Sequence, residues 1–74
     1  MPNESESGFT IHLNGEPFTV DGDARVSALI DRLNLNRRRV AVEVNHGVVP
    51  KAQWDGTLLK AGDSVEIVNF VGGG

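Results

Sequence analysis

The chain has no cysteine. That excludes a disulfide framework, a thiolate metal site and a thiol nucleophile, and it fits a cytoplasmic protein. No apolar run approaches the ~20 residues that span a membrane, so no membrane partner is expected. The opening MPNESESG is polar and acidic. It lacks the basic start and apolar stretch of a signal peptide, and residues 1–8 read as a disordered extension. Positive charge is scarce: seven Lys and Arg against ten Asp and Glu leave a net charge of −3 and a pI near 5.1. A nucleic-acid binder would show a basic footprint instead. Histidines number two. Neither His12 nor His46 stands in a metal-motif spacing, so no metal ligands are expected. Length is the last shortage. A chain of 74 residues makes one domain that buries only ~60 % of its unfolded surface, too little to build a large substrate cleft of its own.

What is present is strong local patterning. FTIHL alternates, with Phe9, Ile11 and Leu13 on one face and Thr10 and His12 on the other. Asn14-Gly15 is a two-residue hairpin signal. PFTV returns as a second strand with Phe18 and Val20 on one face, and Pro17 assigns it to a sheet edge. Asp21 and Asp23 suit turn and capping chemistry better than acid–base catalysis, and Asp23 is the expected helix N-cap. In VSALIDRLN, the residues Val26, Leu29, Ile30 and Leu33 form one stripe of an amphipathic helix, with Ser27, Asp31 and Arg32 facing water. Asn34 and Asn36 are stop residues. VAVEVN is a third strand with Val40, Val42 and Val44 inward. Asn45 to Gly47 is a tight turn, and VVP is a short fourth strand ended by Pro50. KAQWDGTLLKAGD is an irregular connection in which Trp54, Leu58 and Leu59 close one end of the core. A turn at Ala61 to Asp63 leads into the last strand, Ser64 to Phe70.

One helix covers one face of such a sheet. The expected class is α+β: a β-grasp fold over residues 9–71, with a mixed sheet of four to five strands and the helix packed across it. Its first and last strands lie side by side in the centre. Residues 72–74 then form a flexible Gly-Gly-Gly tail. A terminal glycine run can be a loose end and nothing more, but one that follows directly on a central strand is projected outward by the fold. Gly72 and Gly73 have the narrow cross-section that threads into a slot on a partner. A carboxylate on Gly74 is unhindered, and a glycyl group activated there cannot racemise.

Several segments carry a resemblance. These are the Asn14-Gly15-Glu16 hairpin; Val44, Asn45, Val49, Pro50, Lys51 and Trp54 within VEVNHGVVPKAQW; and the closing LLKAGDSVEIVNFVGGG. Over roughly Phe9 to Gly74 the chain resembles the ThiS family of sulfur carriers in thiamine biosynthesis, within the ubiquitin-like β-grasp proteins. The resemblance implies a protein cosubstrate with no catalytic group and no bound cofactor. A ThiF-like, E1-like adenylyltransferase would use ATP and magnesium to turn the Gly74 carboxylate into an acyl-adenylate. Sulfur from a cysteine desulfurase would displace AMP and leave a C-terminal 1-thioglycine, and a ThiG-like thiazole synthase would take that sulfur into the thiazole. Three other readings remain: a small subunit of molybdopterin synthase, a ubiquitin-like modifier joined to lysines, and a plain β-grasp interaction module.

By strand alternation Val68 and Phe70 point away from the helix. With Ala41, and with His12 as a neighbour, they form a candidate docking patch for the adenylating enzyme; the alternatives are coverage by the connection around Trp54 or scattered surface apolars. Arg37 to Arg39 read as a solvated loop favouring the helix C-terminal dipole, or as a contact for an acidic partner. Trp54 is either a core lid or a binding residue.

Overall fold

The computed structural model describes residues 8–70. Strand β1 (Gly8–Leu13) and strand β2 (Glu16–Asp21) pair antiparallel, with Leu13 opposite Glu16. Asn14 and Gly15 connect them at φ of 50° and 86°, both in the left-handed region that matches the twist of a two-residue hairpin. The alternation places Ile11 and Val20 in the core. The sheet runs β2-β1-β5-β3-β4. Pro17 therefore lies on an edge strand, where its missing N–H costs no ladder bond. β1 begins at Gly8, one residue ahead of the expected start.

Helix α1 (Val26–Arg32) buries Val26, Leu29 and Ile30 against the sheet. Two expectations fail at its start. The N-cap position is Arg25, with no side-chain cap. The Val26 N–H donates instead to the Thr57 carbonyl at 2.9 Å. Asp23, freed from capping, accepts from the Arg25 N–H at 3.1 Å and pairs with its guanidinium at 2.6 Å. Ser27 is buried rather than wet, because α1 also packs against the 3-10 segment Lys51–Gly56 and is covered on more than its sheet-facing stripe. The helix ends as its asparagine suggests. Asn34 takes φ of 58°, its N–H donates to the Asp31 carbonyl and the Leu35 N–H donates to that of Ile30. This is the Schellman pattern, which satisfies the last carbonyls. Asn36 caps the following 3-10 turn, Arg37–Arg39, by accepting from the Arg38 N–H; the arginines are thus an ordered turn rather than an open loop.

Strand β3 (Val40–Val44) turns through Asn45 and His46, at φ of 52° and 73°, into the two-residue strand β4 (Gly47–Val48). Trp54 is buried, and its indole N–H donates to the Val49 carbonyl at 3.0 Å, so it is a core lid. Leu59 is buried with it, but Leu58 is 65 % exposed and does not close the core. The segment is extended here, bridging Arg25 to Leu58, and alternation turns Leu58 outward when Leu59 turns in. Asp63 is also buried. Its carboxylate accepts from the Asn45 amide at 3.0 Å and the Lys60 N–H at 2.8 Å, while the Asn45 side-chain oxygen accepts from the Ser64 N–H. The Asn and Gly-Asp residues of the sequence pattern thus tie one turn to the start of the last strand.

Strand β5 (Ser64–Asn69) closes the sheet between β1, to which it is parallel, and β3, to which it is antiparallel. Together with α1 across one face, this is the β-grasp arrangement the pattern implied.

Candidate functional site

β5 leads directly into Val71 and the glycines. Gly72, Gly73 and Gly74, the expected threading and sulfur-carrying residues, lie outside the described residues, as does most of the 1–8 extension. The structure instead defines the root from which they leave. On the inner side of β5, Val65 is fully buried and Ile67 packs against the core. On the outer side Val68 and Phe70 are 53 % and 54 % exposed. Ala41 stands opposite Val68 in the β3–β5 register, and the Phe70 N–H donates to the Arg39 carbonyl at 2.6 Å. The three expected docking residues are therefore brought together at the tail root. The connection around Trp54 does not cover Val68 or Phe70. His12 is exposed on β1 but stands level with Ser64, about 13 Å along the strand from Val68 at ~3.3 Å per residue. It belongs to the other end of the face.

The register adds residues that hydropathy alone did not single out. Glu66 and Glu43 are directly opposed, and Val48, also exposed, lies opposite Glu43. Period-two alternation was enough to place the two glutamates on this face. Asn14 is the other omission. Its side chain accepts from the Ile67 N–H at 2.9 Å and donates to the Ile67 carbonyl at 3.4 Å. After β1 turns away, the amide stands where the next peptide unit of that strand would have been, and it holds the part of β5 nearest the tail.

Two shallow grooves, of about 150 and 350 Å³, lie on the helix side, one beside Phe18 and Arg32 and one between Leu13, Leu35 and Ile67. Among the described residues no group of three His, Asp or Glu is placed to hold a metal ion, and no helix is long and apolar enough to cross a membrane. The Asp23 carboxyl is pulled down to about 2, first by the Arg25 side-chain hydrogen bond and then by the Arg25 backbone N–H; it lies at the helix start, away from the tail root.

A mixed five-stranded sheet under one helix, with its central strand running into a terminal glycine run, defines a ubiquitin-like β-grasp protein. The ThiS family model matches residues 11–74. The chain is similar, at 38 % identity and a TM-score of 0.74, to the crystal structure of the thiamine biosynthesis protein ThiS from Geobacter metallireducens, covering 89 % of this chain and 100 % of that one. It is 37 % identical to ycf40, an uncharacterized protein of Pyropia yezoensis, over 92 % of this chain and 96 % of that one. It is 38 % identical to a segment of the thiazole synthase of Magnetococcus marinus, covering 86 % of this chain but 20 % of that longer protein. The chain belongs to the ThiS family, whose members are small sulfur carriers of thiamine biosynthesis rather than catalysts.

Proposed function

We propose that this chain carries sulfur for the thiazole of thiamine as a thiocarboxylate on Gly74, and that Val68, Phe70 and Ala41 form the face on which its activating enzyme docks. The observation that carries the reading is the family match, which extends through the final glycines to residue 74. A carboxylate is a poor electrophile. Attack of the Gly74 carboxylate on the α-phosphorus of ATP, with magnesium and an E1-like (ThiF-like) enzyme, expels pyrophosphate and leaves an acyl-adenylate. Sulfide then adds to the acyl carbon and AMP departs; where a cysteine desulfurase delivers the sulfur as a persulfide, the acyl disulfide formed is cleaved by a thiol reductant, which is oxidised to a disulfide and releases the thiocarboxylate. The resulting thiocarboxylate is a tethered sulfur nucleophile for a ThiG-like thiazole synthase. The matching segment inside proteins named thiazole synthase supports that last partner. Gly72 and Gly73 supply the narrow approach to the activating cleft.

Intact-protein mass spectrometry after incubation with the adenylating enzyme, ATP, magnesium and a sulfide source tests the chemistry. The expected result is a mass gain equal to exchange of one oxygen for one sulfur, absent when Gly73 and Gly74 are deleted. An unchanged mass, or sulfur transfer that survives the deletion, overturns it.

A further inference from the structure

The outer face of β3 and β5 is ordered by charge along its length. At the end distant from the tail, Glu43 and Glu66 are directly opposed. Opposed residues of an antiparallel pair share a face and lie roughly 4.5–5.5 Å apart at Cβ, where like charges work against the pairing. Next come Ala41 and Val68, opposed in the same register. At the tail root the Arg39 carbonyl accepts from the Phe70 N–H; Arg39 is exposed and precedes the buried Val40, so strand alternation carried back one residue assigns its side chain to the outer face. Among the described residues the ion pairs are Asp23–Arg25 and Asp31–Arg37, so neither glutamate nor Arg39 is neutralised by a neighbour there. A like-charge pair beside an exposed apolar strip is a cost to the free chain that an approaching cation would remove.

Resting on the docking reading above, we propose that this face takes a surface of the adenylating enzyme whose charges run in the opposite order: a Lys or Arg against Glu43 and Glu66, an apolar strip against Ala41, Val68 and Phe70, and a carboxylate against Arg39. The order makes the docking directional. Turned end for end, the partner would set like charge on like at both ends, so only one orientation brings its active cleft to the tail root. A second copy of the chain related by a two-fold axis would also match the charges, but it would cover Phe70 in both copies and block the root that activation requires.

The test compares binding of the full-length chain to the adenylating enzyme by titration calorimetry at low and high salt. In the Glu43→Gln/Glu66→Gln double variant the thermal midpoint should stay or rise, because a repulsion is removed. Its Kd should weaken roughly tenfold at low salt, and the difference should shrink as added salt screens the charges. Arg39→Glu should weaken binding in the same salt-dependent way. A stable double variant that binds with unchanged Kd, while Val68→Asp loses binding, overturns the charge order and leaves the docking face standing. If Val68→Asp also binds normally, the docking face falls too. A concentration-dependent dimer of the unmodified chain in sedimentation, lost in the double variant, would assign the charge order to self-association and likewise overturn the proposal.

Discussion

Asn14 does two jobs with one residue. Its backbone takes the positive φ of the hairpin, and its side-chain amide replaces a missing strand residue beside Ile67. Asn14→Gly separates the two, since glycine keeps the turn and removes the amide. The expected loss is about 1 kcal/mol in denaturant unfolding, with faster hydrogen exchange at the Ile67 amide than at Val65. The dipeptide Asn14-Gly15 announced the turn, but nothing periodic in the sequence could announce a bond to a residue 53 positions away. Asp23 is the converse case. Its residue type and position suggested a cap, and a backbone carbonyl from elsewhere in the chain took the role. Its carboxyl, held at about 2 by Arg25, contributes stability above its ordinary value of 3.8 that is lost as the pH falls through about 2. An NMR titration should place its midpoint well below the ordinary value of 3.8, and Arg25→Ala should return it toward that value.

At the scale of elements, the strands were legible because each has one face on the core, so period two is imposed by burial. The helix stripe was legible for the same reason. What was not legible came from elements without a period of their own. The 3-10 segment Lys51–Gly56 covers the helix flank and buries Ser27, and Leu58 was assigned inward when its neighbour took that place. The same segment seats Trp54 over the core with its indole bound to Val49. Trp54→Phe keeps an aromatic ring but leaves a partial cavity and an unpaired carbonyl, and should cost about 1–3 kcal/mol, measurable as a lower denaturation midpoint with an unchanged far-UV spectrum. The sheet edges are managed economically: β2 carries Pro17 and β4 has two residues, so neither offers a long free ladder to another chain.

At the scale of the molecule, folding and function occupy separate territory. The identified core lies between Ile11 and Val65, while the proposed working residues are the outer face of β5 and the glycines. The variant lacking Gly73 and Gly74 should therefore melt at the same temperature as the full chain while losing its sulfur transfer, a pairing that differential scanning calorimetry and mass spectrometry check together. The outward placement of Val68 and Phe70 beside Ala41 was recoverable from alternation, because β5 is regular to its end. The charge order was not, since it depends on which residue of β3 faces which of β5, and register is a property of the assembled sheet.

The central position of β5 has a mechanical consequence. β1 and β5 run parallel as neighbours, so the start of the first strand and the end of the last lie at opposite ends of the same ladder. A pull on the glycines against a held β1 would load this short ladder, registered at His12–Ser64 and Leu13–Val65, along the strands rather than across them. The handle is attached to a strand held on both sides, by β1 and by the five residue pairs to β3, so a pull on it meets the middle of the sheet and not an edge.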